Sequence, residues 1–199
     1  MTKEQLIEIR NKLHLWCLER RLNVQDQKNN LLGNILEECT EYTRAKNEYE
    51  QVDAICDMIV FYLNSVEGNV YILKDNTAYD NVNFIQRILT LLSVNNECTN
   101  ILNQCVTKLE SMDYDVYKCL NETIKEISSR RGEWDENIGK FKKHIGVYSI
   151  EELQNVYTDT YNIIELEDGY RVEVYENDKV VDVKYYVKWY KADYNKCKK

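Results

Sequence analysis

Three consecutive stretches within the first 66 residues space their apolar side chains as helices do, and the third carries charge where a core helix should not. Residues 3 to 22 place Leu6, Ile9, Leu13, Trp16 and Cys17 on one face, and residues 29 to 46 repeat the pattern with Leu32, Ile35, Leu36, Cys39 and Tyr42. From about 50 to 66 the helix is apolar nearly all round, with Val52, Ile55, Ile59 and Leu63 flanked by the unbroken run Met58 to Leu63. Such a helix is buried on several sides. It nevertheless contains Glu50, Asp53 and Asp57 on one line. Proline is absent from the chain, so nothing in the composition interrupts long helices.

An isolated carboxylate in apolar surroundings costs several kcal/mol or takes up a proton, so Asp57 requires a partner. On the second helix, steps of about 100° put Glu38 at the edge of the apolar stripe, Glu41 beyond it and Glu37 further round. Glu37-Glu38-x-x-Glu41 and Glu50-x-x-Asp53-x-x-x-Asp57 together hold six acids, with only Arg44 and Lys46 as local bases. Two helices joined by a tight turn would face several of these carboxylates across one gap, which suits a hard cation such as Mg2+. Any one of these acids could equally belong to a solvated face, and Glu37 and Glu50 are the members most exposed to that reading.

Bulk properties remove other classes. A net charge of -8 argues against nonspecific binding of a nucleic-acid polymer. The two histidines, His14 and His144, are too few and too far apart for a His-based transition-metal site or a Ser-His-Asp triad. Cysteines at 17, 39, 56, 98, 105, 119 and 197 form no C-x-x-C pair and mostly occupy apolar helical positions, so they read as reduced core residues. No basic-then-apolar leader is present and no apolar run could span a bilayer, so the expectation is a soluble cytoplasmic protein without a membrane partner.

Further along, residues 68 to 80 read as a loop, 81 to about 110 as a long helix or a broken pair, and 114 to 130 as a last helix with Tyr117, Leu120, Ile124 and Ile127 inward. The texture then changes. Residues 156 to 190 alternate apolar with charged positions and carry turn signals at Asp168-Gly169 and Glu176-Asn177-Asp178, predicting a three-stranded antiparallel meander. Its aromatic residues, including Tyr170, Tyr185, Tyr186 and Trp189, read as the packed face of a small sheet. The expected fold is mainly α, a helical bundle over residues 1–146 with a small C-terminal antiparallel β appendage over 147–199.

The acidic residues also carry a resemblance. The pattern E-E-x-x-E at Glu37, Glu38 and Glu41, followed by Asp57-Met58-Ile59-Val60-Phe61 on a second acidic helix, resembles the all-α nucleoside triphosphate pyrophosphohydrolases. That superfamily comprises the MazG-like proteins of phages and bacteria, the dimeric dUTPases and phosphoribosyl-ATP pyrophosphatase. Its second motif, E-x-x-D, aligns here in two ways. With Asp57 as the Asp, Ala54 stands at the Glu position and Asp53, one residue earlier, substitutes for it; Glu50-x-x-Asp53 matches literally but puts the aliphatic run late. The first alignment is favoured. A patch from Glu122 through Arg130, Arg131, Lys140 and Lys143 is similar to the basic segment with which MazG-like proteins meet nucleotide phosphates.

The resemblance covers roughly residues 1 to 146 and implies a MazG-like bundle that associates as a homodimer or homotetramer. It implies a Mg2+-dependent hydrolase, with Mn2+ as a possible substitute, converting a (d)NTP to (d)NMP and pyrophosphate. Glu38, Glu41, Asp53, Asp57 and Glu50 are then the metal candidates, Glu37 or Glu41 the acceptor of a proton from water, and Asn34, Arg130, Arg131, Lys140 and Lys143 the substrate contacts. The competing expectation is a non-catalytic interaction or regulatory protein whose acids form a charged surface.

Overall fold

The structure, a computed structural model, describes residues 1–72, 81–93, 99–157 and 160–199. The chain forms two compact units: Met1–Ile124 together with Asp193–Lys199, and Lys125–Ala192.

Unit 1 is helical. Helix α1 (Lys3–Glu19) starts from a capping box in which Thr2 accepts from the Gln5 amide and the Gln5 side chain accepts from the Thr2 amide. Helix α2 (Val24–Arg44) begins at an Asn23 cap, five residues ahead of the expected start at 29, and α3 (Glu48–Ser65) begins at an Asn47 cap. These two pack closely along their lengths. Helices α4 (Asn81–Ser93) and α5 (Thr99–Ser111) replace the alternatives left open for residues 81 to 110; the join between them, most of the expected loop before α4 and Cys98 lie outside the described residues. Helix α6 (Val116–Ser129) completes the set, its residues up to Ile124 belonging to this unit.

The core of unit 1 gathers Ile9, Leu13, Ile35, Tyr42, Phe84, Ile88, Leu102 and Leu120 around α3, whose Val52, Ile55, Met58 and Ile59 are fully enclosed. Helix α3 is therefore buried on several sides, as its composition requires. The stripe of α2 differs by one position from the expected one. Leu31, Ile35, Glu38, Cys39 and Tyr42 point inward, while Leu32 and Leu36 are exposed.

Unit 2 overturns the expected fold class. Strands β1 (Gly132–Asp135) and β2 (Lys140–Lys143) form an antiparallel hairpin within the stretch assigned to the helical bundle, and β3 (Gly146–Val147) follows directly. A short helix α7 (Ile150–Val156) precedes β4 (Tyr161–Glu165), β5 (Gly169–Glu176) and β6 (Lys179–Lys188). The larger sheet has the order β3-β6-β5-β4 and is mixed, since β3 pairs parallel to β6 through Gly146↔Val187 and Val147↔Lys188. The chain is thus a mixed α and β protein, and not a mainly α, MazG-like bundle with a meander appended.

The reason is physical. A four-residue strand such as β1 or β2 offers too little alternation to register as a strand, and parallel pairing across 40 residues leaves no local trace. The meander itself forms as expected. Its β5–β6 turn holds Asn177 and Asp178 at φ 49° and 58°, the left-handed pair that a two-residue hairpin demands. Val147, Leu153, Tyr170 and Val172 make the buried core of this unit, with Tyr157, Tyr161 and Tyr186 packed against it.

Candidate metal centre

The one-position rotation of α2 carries Glu38 into the interior of unit 1, where it is only 6% exposed. Its neighbours in sequence, Glu37 and Glu41, stay in solvent, and Asn34 one turn earlier is half-buried. Asp53 and Asp57 on α3 are half-buried as well, because they sit where that otherwise apolar helix comes nearest its exposed edge. Burial first, then the negative charges of Asp57, Glu41, Asp53 and Glu37, push the Glu38 carboxyl up to about 9. Its Oε2 is shielded from solvent and has no hydrogen-bond partner among the described residues.

A buried, unpartnered oxygen amid like charges is the arrangement a cation relieves. Carboxylate oxygens are also the ligands that Mg2+ and Mn2+ accept, so the donor set fits the implied ion. Among the described residues, however, no three His, Cys, Asp or Glu side chains are already gathered as a ligating group. Uncompensated like charges oppose such a gathering.

Glu50 stands apart from the cluster. Its carboxylate accepts from the Lys46 amide at 2.7 Å and from Asn47 Nδ2 at 2.9 Å, closing the N-terminus of α3. The basic candidates belong to unit 2. Arg130 donates to Glu126 Oε1 at 2.7 Å and to the Tyr148 hydroxyl at 2.5 Å, beneath Trp189. Arg131 is exposed in the link between α6 and β1, and Lys140 and Lys143 are exposed on β2. Lys143 lines a groove of about 540 Å³ with Lys142, His144, Tyr185 and Tyr186.

Two features had no signal in the sequence. The first is Tyr194, 141 residues beyond Asp53, whose hydroxyl donates to Asp53 Oδ1 at 2.6 Å and lies 3.0 Å from Thr123 Oγ1. The second is a cleft of about 710 Å³ in unit 1, lined by Arg10, Asn11 and His14 of α1, Gln27 of α2 and Asn64 of α3. Arg10 frames it by donating to the carbonyls of Gly68 at 2.5 Å and Val66 at 3.3 Å. At 1.5 Å per residue, Asn64 lies about 10 Å along α3 from Asp57, so cleft and carboxylates occupy successive stretches of one helix pair.

No helix among the described residues is long and apolar enough to cross a membrane. Set against protein-family models, curated proteins and solved structures, the chain matches none.

Proposed function

We propose that the carboxylates of α2 and α3 hold Mg2+, with Mn2+ as a substitute, and that the chain hydrolyses a nucleoside triphosphate to the monophosphate and pyrophosphate. The observation that carries this reading is Glu38, a carboxyl enclosed by protein with one oxygen unpartnered and four other acids raising its proton affinity. Glu38, Glu41, Asp53 and Asp57 would hold the ion, which when bound supplies charge neutralisation at the phosphoryl oxygens. Glu37 and Glu41, exposed at the rim, are the groups that can take a proton from an attacking water. Asn34 offers an amide one turn from Glu38. The cleft framed by Arg10 and Asn64 falls within the usual size range of small-molecule sites and accommodates the nucleoside. All of these groups belong to unit 1. The similarity of Glu37 to Glu41 and Asp57 to Phe61 to the pyrophosphohydrolase motifs supports the same chemistry.

Incubation with each (d)NTP and Mg2+, following pyrophosphate release, tests the activity directly. Turnover of at least one triphosphate is expected, with Glu38→Gln reducing it by about 100-fold through loss of a ligand. No turnover of any triphosphate, or full turnover by Glu38→Gln, removes the proposal. A second reading is favoured by one observation, the lack of a gathered ligand group among the described residues: a non-catalytic interaction protein with an acidic surface. Calorimetric titration with Mg2+ separates the two, since a merely charged face binds weakly and loses its binding in about 0.5 M salt.

Association as a homodimer or homotetramer belongs to the same proposal. Exposed Leu15 and Leu18 on α1 and Leu32 and Leu36 on α2 support it, being large apolar side chains left in solvent on one protomer. Light scattering should give a mass at least twice that of the 23.8 kDa chain, and Leu36→Glu should lower it.

A further inference from the structure

Segment Asp193–Lys199 follows unit 2 in the chain but packs as part of unit 1. Backbone contacts fix it there. The Asp193 amide donates to Glu122 Oε2 at 3.3 Å, the Cys197 carbonyl accepts from the Asp115 amide at 2.8 Å, and the Lys199 amide donates to the Asp113 carbonyl at 2.9 Å. Lys198 Nζ adds an ion pair with Glu48. Tyr194 and Cys197 are enclosed at 3% and 1% exposure. The backbone that carries the Tyr194 phenol is thus anchored by contacts of its own segment that do not involve Asp53.

We propose that Tyr194 is a positioning residue for the metal centre: its hydroxyl, held at 2.6 Å from Asp53 Oδ1 and 3.0 Å from Thr123 Oγ1, fixes the orientation in which Asp53 meets the cation. This rests on the cation reading of the α2–α3 carboxylates. Within that set, the Oε2 of Glu38 is enclosed and has no hydrogen-bond partner among the described residues, which marks a place for a cation. The logic is that of any metal site whose ligating carboxylate is itself hydrogen-bonded, where the outer partner sets ligand geometry and its loss weakens the metal by about 10- to 100-fold. A phenol suits the task because it donates one hydrogen along a defined direction and, enclosed as Tyr194 is, cannot swing away to water.

The test is a Mn2+ titration of the full chain, reading free Mn2+ by electron paramagnetic resonance, with folding checked by circular dichroism. Tyr194→Phe keeps the ring and removes the donor, and should weaken binding by about 10-fold or more. Tyr49→Phe is the control: it removes the bond from Tyr49 to Asn195 in the same segment without touching Asp53, and should leave the affinity unchanged. The pair Asp53→Asn and Asp53→Asn with Tyr194→Phe completes a cycle in which the double variant binds no more weakly than Asp53→Asn alone. Additive losses, an unchanged Tyr194→Phe, or an unchanged Asp53→Asn each overturn the positioning role. If the wild-type chain binds no more Mn2+ than Glu38→Gln does, the cation reading itself fails and takes this inference with it. Should Tyr194→Phe not fold, Thr123→Val keeps phenol and carboxylate and removes the hydroxyl that lies 3.0 Å from the phenol and donates to the Cys119 carbonyl within α6; a loss of about two- to threefold is expected, and none overturns the proposal.

Discussion

Glu38 concentrates the chemistry of unit 1 into one side chain, and its protonation makes a sign-definite prediction. An ordinary glutamate titrates near 4.5, whereas Glu38, enclosed and faced by Asp57, Glu41, Asp53 and Glu37, titrates at about 9. Between those values the folded, cation-free protein keeps a proton that the unfolded chain has released. Unfolding therefore sheds a proton, and stability falls as pH rises through that window, by up to about 1.4 kcal/mol per pH unit. The carboxylates shifted the other way, Glu8, Glu48 and Asp193 among them, lose their stabilising partners only at or below the ordinary carboxylate range and leave this window clear. Urea unfolding from pH 5.5 to 8.5 should show the slope, Glu38→Gln should flatten it, and Mg2+ at pH 8 should restore stability. The sequence identified the acids but placed Glu38 at the edge of the stripe. The apolar pattern of α2 permits either of two rotations, and packing against α3 chose the one that buries the charge.

Caps and close approaches decide the elements. Asn47 starts α3 by accepting from the Glu50 amide at 3.0 Å, and α3 in turn carries Asp53 and Asp57. Asn47→Ala should cost about 1 kcal/mol in chemical denaturation, the usual worth of such a cap. In unit 2, Gly169 opens β5 against β6, and a Cβ there would stand 2.1 Å from the Tyr186 carbonyl oxygen, which is backbone and cannot rotate aside. Gly169→Ala should accordingly destabilise the larger sheet by about 1–3 kcal/mol, seen as lost protection of the β5 and β6 amides in hydrogen exchange. The meander was legible because its strands alternate over eight and ten residues and its turn residues are specific. Strands β1, β2 and β3 are four, four and two residues long, too short for periodicity to separate them from a solvated basic tail.

At the scale of the whole molecule, the chain leaves unit 1 after Ile124 and re-enters it at Asp193, so unit 2 is an insertion within unit 1. The returning segment buries Tyr194 and Cys197 and pairs Lys198 with Glu48. Ending the chain at Ala192 should therefore lower the stability of unit 1 by roughly 3–5 kcal/mol, the cost of removing a large enclosed side chain and exposing its site. Thermal unfolding followed at far-ultraviolet wavelengths would register the loss; an unchanged transition would show that the segment adds nothing to the unit.

Read alone, the amino-acid order determined that the first three stretches and residues 114 to 130 coil into helices, that the third helix had to be enclosed, where the β5–β6 hairpin turns, and that too many acids stand near too few bases; it gave no sign of helix α7. These are local properties, carried by spacing, caps and turn chemistry within a dozen residues. Only the tertiary structure decided the rotation that encloses Glu38, the parallel contact of β3 with β6, and the return of Tyr194 to Asp53. Each of those joins residues that share no local pattern, and each is selected by the free energy of packing the assembled elements, which no single segment contains.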